Sequence, residues 1–190
     1  SMLWEDLTKN NEFDEYEETE QRKEGLSVPV DGGTLSGNIV DLHTRFNLNN
    51  LVKLDDSGKF VQSDEDVDIF RRFIRFLNEN PPEKVNEDGS VTLPETEIPE
   101  TIVYKILDWI DSNIDPYMGE NGEGAEDGVY TMLPNPYVTP NNPMASVTEL
   151  LLIDAIWTEE QKTAIYERLL PYVTVLPERT KININIAPPQ

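Results

Sequence analysis

The chain has 190 residues, of which 37 are acidic and 15 basic, giving a formal net charge of −22 at pH 7. This excess of negative charge argues against nucleic acid and anionic membrane surfaces as partners, because their phosphate groups would repel it. The absence of cysteine excludes disulfide bonds and thiolate chemistry, and no apolar run reaches the roughly 18 residues that a membrane-spanning helix needs.

The first part of the chain predicts a weak helix followed by a β-hairpin. Sparse apolar residues over 3–24 are typical of a loosely amphipathic helix. The runs 26–30 and 34–42 then flank Asp31-Gly32-Gly33, whose glycines supply the positive φ angles of a tight turn. Because Pro29 has no N–H to donate, the first strand is predicted at a sheet edge.

The middle of the chain is predicted to be mainly helical. After residues 46–52, whose asparagines can bond neighbouring backbone, the apolar period becomes helical from about residue 62. The apolar stripe of the first helix consists of Val67, Phe70, Phe73, Ile74 and Leu77. Helix starts are predicted at Ser63, Pro99, Ser146 and Thr158, with capping-box spacing at Ser63, Ser146 and Thr158.

A period of two returns at 172–176 and 181–187, where apolar and polar residues alternate as in half-buried strands. The order of elements is therefore helix, strands, helices, strands. This order predicts an α+β fold in which a sheet is interrupted by a helical insertion.

Residues 111–146 are rich in Gly, Pro, Asn and Asp, and so long a loop in a compact domain is either functional or disordered. Asp111, Asn113 and Asp115 present side-chain oxygens at alternate positions, a spacing used where a loop wraps a hard cation. The segment is not an EF-hand, because a proline replaces the glycine at the sixth position and the twelfth position has no carboxylate.

A second acidic element could complete such a site. Glu123, Glu126 and Asp127 follow closely enough to fold back onto the first element. Five or six oxygens from both elements would suit Ca²⁺, which accepts irregular oxygen shells, better than octahedral Mg²⁺. The alternative is an acidic loop that only faces solvent.

Residues suited to catalysis are few. His43 is the single histidine, and no serine lies in a nucleophile-elbow motif, so we interpret His43 as structural. Acidic residues are so abundant that no single pair indicates carboxylate-dependent hydrolysis.

Six short stretches follow one another in the order typical of one protein family. They are FNLNNL at 46–51, DWID at 108–111, GAEDxxY at 124–130, NPxxSxxEL at 142–150, LP at 176–177 and ININ at 182–185. Together they resemble general secretion pathway protein K, the large minor pseudopilin of the type II secretion system.

The resemblance implies a pilin-like antiparallel sheet with an inserted, mainly α-helical domain, truncated at both ends. The expected parts are a remnant of the N-terminal helix (1–25), the first part of the sheet (26–61), the helical insertion (62–171) and returning strands (172–190). The membrane anchor is then expected upstream of residue 1, and the family's closing strands beyond residue 190. The chain departs from the family at Ile186, usually threonine, and at Val138, where arginine is common.

The resemblance also implies a function. It indicates a non-catalytic subunit at the tip of the periplasmic pseudopilus, anchored in the inner membrane and assisting protein export. Expected partners are minor pseudopilins I and J and other pseudopilins, with secreted substrate proteins as a further candidate, and the expected cofactor is a structural Ca²⁺. Two other hypotheses stay open: a calcium-dependent recognition module of an extracellular protein, and a carboxylate-dependent hydrolase.

Overall fold

The computed structural model describes residues 26–37, 40–82, 84–85, 90–92, 94, 96–119, 122–153 and 157–182. These residues form two compact units, one of which is Phe46–Thr180, while the other contains the described residues on either side of it. The predicted helix over 3–24 and most of the predicted strand at 181–187 lie outside the described residues. In the part of the chain that is described, no helix has the length and apolarity needed to cross a membrane.

The first unit contains the predicted β-hairpin. Strands β1 (Leu26–Val30) and β2 (Gly33–Gly37) pair antiparallel, with Val30 opposite Gly33. The turn needs glycine at its second residue, because Gly32 has a φ of +87°. The hairpin prediction is confirmed, although β2 stops short of the predicted end at Leu42.

Instead of continuing the strand, residues Leu42–Thr44 form a single 3₁₀ turn. The Asp41 carboxylate caps this turn by accepting a hydrogen bond from the His43 backbone N–H at 2.8 Å. The His43 ring lies against the same carboxylate, with 3.1 Å between Nδ1 and Asp41 Oδ1. Both contacts are local, and the structural role of His43 stays a prediction.

The second unit is built on helix α1 (Asp64–Glu79). Its buried residues are Val67, Phe70, Ile74 and Leu77, four of the five predicted stripe positions. The predicted capping box at Ser63 is wrong: the Ser63 hydroxyl donates to the Asp66 carboxylate, at 2.5 Å, instead of accepting a backbone N–H. Three acidic residues in the first turn still complement the positive end of the helix dipole.

Helix α2 (Ile102–Ile110) lies at the centre of this unit, and all nine of its residues are buried. It begins three residues later than predicted, because Thr101 is the N-cap. Because the helix is buried on every side, most of its residues are apolar. Its two charged residues, Lys105 and Asp108, are buried as well. Lys105 lies with its Nζ 5.0 Å from the centre of the Trp157 ring.

Further helical elements of the unit are the single turn α3 (Asp127–Tyr130), a 3₁₀ helix (Val147–Leu152) and α4 (Glu159–Leu169). The capping boxes predicted at Ser146 and Thr158 are both confirmed.

The strands of the second unit are short and pair two by two. They are β3 (Phe46–Asn47), β4 (Val52–Leu54), β5 (Phe60–Gln62), β6 (Lys84–Val85), β7 (Val91–Thr92), β8 (Met118–Gly119), β9 (Gly122–Glu123) and β10 (Val173–Thr174). β3 and β10 pair in parallel and the other three pairs are antiparallel. Helices together with these small sheets confirm the α+β class. Residues 46–61, which were predicted to belong to the first part of the pilin-like sheet, lie in the same compact unit as the helices.

Three buried asparagines, Asn47, Asn49 and Asn50, form what we call the asparagine cluster around the 3₁₀ turn Leu48–Leu51. Their side chains bond backbone 95 to 131 residues away, at Met144, Leu176, Glu178 and Thr180. The expected local bond is present, from the Asn49 N–H to the Asn47 carboxamide at 3.1 Å. The long-range bonds were not expected, and they join the two ends of the second unit.

Candidate functional site

The predicted cation site lies where the C-terminal end of α2 meets the segment before α3. Helix α2 presents Asp108 from its last turn and Asp111 from its C-cap. The tiny β8–β9 hairpin then leads to Glu126, the N-cap of α3, and to Asp127. We call Asp108, Asp111 and Glu126 the acidic cluster; they are 1%, 4% and 5% exposed.

The first predicted element, Asp111 to Asp115, forms a tight turn. Asp111 accepts hydrogen bonds from the Asn113 N–H at 3.1 Å and from the Asn113 Nδ2 at 2.6 Å. The Asn113 Oδ1 in turn accepts from the Asp115 N–H at 2.8 Å. The side-chain oxygens of Asp111 and Asn113 thus accept hydrogen bonds from backbone N–H groups of the same turn. The Asp115 side chain is exposed.

The second predicted element contributes one buried and one partly buried carboxylate. Glu126 accepts a hydrogen bond from the Thr139 hydroxyl at 3.1 Å through Oε2, whereas its Oε1 is buried without any hydrogen-bond partner. Asp127 accepts from the Thr139 N–H and hydroxyl, both at 2.8 Å. The backbone of Glu123 lies in β9, and its side chain is outside the described part of the structure.

Asp108 belongs to the site but is not among the predicted ligands. The Tyr117 N–H donates to it, at 3.0 Å from Oδ2 and 3.2 Å from Oδ1. Gly124 lies so close that a Cβ at that position would overlap the Asp108 carboxylate. The spacing of Asp108 and Asp111, one helical turn apart at a helix end, is the sequence signal that could have identified it.

The acidic cluster concentrates negative charge in a desolvated place. Burial raises the pKa of Asp108 to about 6 and that of Glu126 to about 7, and it also raises the pKa of Asp111. Repulsion adds to burial, because the charge of Asp111 raises the pKa of both other carboxyls. Such a cluster gains stability from a proton or a bound cation.

A half-open cleft of about 270 Å³ borders the acidic cluster. Asp108, Asp111 and Asp115 line it together with the apolar side chains of Phe60 and Leu107. Carboxylates and an apolar wall therefore meet in one cleft.

The donor chemistry fits a hard cation, since the site offers carboxylate oxygens and one of them, Glu126 Oε1, is buried without a partner. The negative charge of Asp111 contributes to the raised pKa of Glu126, while Asp115 lies at the surface. Among the described residues, no three acidic side chains converge closely enough to hold a metal ion. Ion binding would thus require the two acidic elements to draw together.

Comparison with known proteins gives a consistent result. A family model described as type II secretion system, protein K matches residues 44–178. A protein of Pectobacterium carotovorum subsp. carotovorum named type II secretion system protein K is 37% identical over 163 residues, or 85% of this chain and 42% of the relative. A protein of the same name from Pseudomonas aeruginosa is 33% identical over 157 residues, or 83% of this chain and 38% of the relative. The chain thus spans less than half the length of these relatives.

A solved structure has a similar fold. A chain in the crystal structure of the GspK-GspI-GspJ complex from the type 2 secretion system of enterotoxigenic Escherichia coli matches with a TM-score of 0.61. The match covers 85% of this chain and 49% of that chain, at 22% sequence identity. At this identity the likeness concerns the fold alone.

Proposed function

Because the chain belongs to the type II secretion system protein K family, we propose that it is part of a minor pseudopilin at the tip of the secretion pseudopilus. Its role is assembly, and through assembly it assists protein export across the outer membrane. The observation that carries the proposal is the family match over residues 44–178. This range contains nearly all of the second compact unit, Phe46–Thr180.

The proposed partners are minor pseudopilins I and J. The fold similarity to a chain of the GspK-GspI-GspJ complex supports this choice. The proposed location is the periplasm, as a domain of a subunit anchored in the inner membrane.

Assembly can be tested with the full encoded protein and with this chain. Each is mixed with the periplasmic domains of pseudopilins I and J from the same organism, and the masses of the complexes are measured by light scattering after size exclusion. We expect a complex with one copy of each component. Folded components that stay separate at micromolar concentration would contradict the proposed partners.

The proposal includes a structural Ca²⁺ at the acidic cluster, as the family resemblance implies. Asp108, Asp111 and Glu126 would hold it, and the Asp115 or Asp127 carboxylate could complete the oxygen shell. Three observations support this part: the unpartnered Glu126 Oε1, the burial of the three carboxylates and their mutual repulsion. When bound, the ion would neutralise that repulsion and hold the two acidic elements together.

Calorimetric calcium titration tests the proposed site. The wild type is expected to bind Ca²⁺, and Asp111→Ala and Glu126→Ala are expected to bind at least ten times more weakly, since each loses a charged ligand. Glu160→Ala is the matched control, because it removes an exposed carboxylate on α4, away from the acidic cluster. If all four proteins titrate alike, the ligand assignment is wrong.

A carboxylate-dependent hydrolase is the second candidate, because Asp108 and Asp111 line one cleft and the Asp108 pKa is raised to about 6. The surroundings of Asp108 favour a structural role. Asp108 is 1% exposed and accepts a hydrogen bond from the Tyr117 N–H. Its carboxylate therefore has little access to a substrate. An Asp108→Asn protein that still assembles with pseudopilins I and J would support the assembly role, and loss of a measured hydrolysis in that variant would favour the enzyme.

A further inference from the structure

Helix α1 has more apolar surface than the second unit covers. The residues of its buried face are Val67, Phe70, Ile74 and Leu77. A second row, Ile69, Phe73 and Phe76, has the spacing i, i+4, i+7 and therefore lies along a neighbouring face of the same helix. Ile69 is 36% exposed, Phe76 is 40% exposed and Phe73 is half-buried. We call these three residues the outer stripe.

The middle of the outer stripe is held in place by the core. The Phe73 ring centre lies 6.2 Å from that of the buried Phe70 and 5.7 Å from that of Tyr172, which it meets edge to face. Aromatic contacts of this kind have a preferred geometry and so restrict the ring. A partner that packs on Phe73 would thus meet a preformed surface, which lowers the entropy cost of binding.

Three arginines lie close together on α1, and two of them are already paired. Arg75 donates two hydrogen bonds to Glu100, at 2.6 and 2.8 Å, and Arg71 lies 3.6 Å from the same carboxylate. Arg72 is exposed and donates only to the Asp68 carbonyl of its own helix, at 3.3 Å. Within the described part of the chain, no carboxylate is close enough to form an ion pair with Arg72.

The charge beside the outer stripe favours one kind of partner. An arginine next to apolar residues is complementary to a carboxylate next to apolar residues. A second copy of the chain fits poorly, because a two-fold contact would bring Arg72 towards its own counterpart and each copy has a net charge of −22. The same net charge disfavours an anionic membrane surface.

We propose that the outer stripe and Arg72 form a docking surface for an amphipathic helix of another protein, whose apolar residues are bordered by carboxylates. Apolar side chains of that helix would pack between Ile69 and Phe76, and a carboxylate would pair with Arg72. The inference does not involve the acidic cluster and is independent of the proposed calcium site. It goes beyond the assembly role, because it names a surface and the chemistry of its partner.

Two synthetic helical peptides test the docking surface on the full chain at physiological ionic strength. Both have leucines at the spacing of the outer stripe; one is bordered by glutamates and the other by lysines. Their affinities are measured by fluorescence anisotropy, and we expect the glutamate peptide to bind at least about 10-fold more tightly. Nonspecific attraction to a chain of net charge −22 would favour the lysine peptide, so the expected order indicates a local site.

Substitutions assign the binding to particular residues. Phe76→Ser should weaken binding of the glutamate peptide about 10-fold, because it removes an apolar anchor. Arg72→Glu should reverse the preference between the two peptides, and because it changes an exposed side chain it provides a test even if Phe76→Ser does not fold. Leu54→Ser is the matched control, since Leu54 is 61% exposed and lies outside α1.

Equal affinities of the two peptides, or an unchanged preference in Arg72→Glu, would overturn the inference. Wild-type dimers in light scattering that are lost in Phe76→Ser would show that a second copy covers the outer stripe. Binding to anionic vesicles that is lost in the same variant would show that a membrane covers it. Either of these results would overturn the proposed partner.

Discussion

The asparagine cluster and the acidic cluster are both groups of buried polar side chains, yet they are satisfied in different ways. The amide groups of Asn47, Asn49 and Asn50 donate to and accept from distant backbone. The acidic cluster instead contains a buried carboxylate oxygen with no partner and charges that repel one another. Neutral amides can be completed by the chain itself, whereas crowded carboxylates cannot.

The difference suggests what each cluster is for. A buried polar group whose hydrogen bonds are all made within the chain favours one fold, because every alternative packing leaves a group unpaired. A buried polar group without a hydrogen-bond partner instead destabilises the fold. We therefore assign the asparagine cluster to fold specification, whereas cation binding by the acidic cluster stays a proposal.

The largest effect is expected in the asparagine cluster. Asn49→Ala removes bonds to the Met144 carbonyl (3.0 Å), the Leu176 carbonyl (3.1 Å) and the Met144 N–H (2.8 Å), leaving buried backbone unpaired. We expect a loss of about 3–4 kcal/mol of unfolding free energy, measured by urea denaturation. Asn80→Ala, at an exposed helix end, is the control and should lose less than about 1 kcal/mol. Equal losses of unfolding free energy in the two variants would show that the buried asparagine cluster contributes no more to stability than an exposed asparagine.

The acidic cluster should make the cation-free protein less stable as the pH rises. Burial raises the pKa of Asp108 in the fold to about 6, above the ordinary value of an aspartate, so the folded state holds the proton more tightly than the unfolded state. The stability from this group is complete below about pH 4 and is lost as the pH passes 6, by up to about 3 kcal/mol. Chelator-treated Asp108→Asn, measured at pH 4, 5, 6 and 7, should show a flatter profile. A wild-type profile no steeper than that of the variant would contradict the expectation.

The close approach at Gly124 should be sensitive to a single methyl group. Gly124→Ala places its Cβ on the Asp108 carboxylate and must displace it, at a cost of about 2 kcal/mol. Gly128→Ala is the control, because a Cβ there meets nothing within 4 Å, and alanine in α3 should be neutral or slightly stabilising. Thermal unfolding of both variants with a chelator measures the difference. Equal melting temperatures would show that Asp108 is not confined.

The smallest effect is expected at the rim of the asparagine cluster. Arg179 Nη1 donates to the carbonyls of Asn50 (2.8 Å) and Val52 (2.7 Å), and Nη2 donates to Asp66 at 2.5 Å. Lysine keeps the charge but cannot reach all three acceptors, so Arg179→Lys should lose about 1 kcal/mol in urea denaturation. A loss of unfolding free energy as large as that of Asn49→Ala would mean that the exposed Arg179 contributes as much to stability as the buried Asn49.

Local signals in the sequence predicted local structure well. Asp31-Gly32-Gly33 identified the hairpin, and the spacing at Ser146 and Thr158 identified two capping boxes, because turns and caps depend on neighbouring residues. The capping box predicted at Ser63 was wrong, because the Ser63 hydroxyl donates its hydrogen bond to the carboxylate of Asp66, three residues later.

Long-range contacts were not predictable in the same way. Nothing in FNLNNL reveals that its asparagines bond backbone near residues 144 and 176–180, since composition carries no information about distant acceptors. For the candidate site, the sequence predicted Asp111 from its spacing and Glu126 from its nearness in the chain, and that they bind a cation stays a prediction. Asp108 was not among the predicted ligands, because its place beside Asp111 and Glu126 depends on the burial of α2.

The bonds between Asn47 and Leu176 also bear on how the chain folds. They join residues 129 positions apart, so during synthesis the asparagine emerges long before its acceptor exists. Contacts of such sequence separation carry a large loop-closure entropy and slow the folding of a domain. The second unit should therefore fold more slowly than a helical domain whose contacts are mainly local.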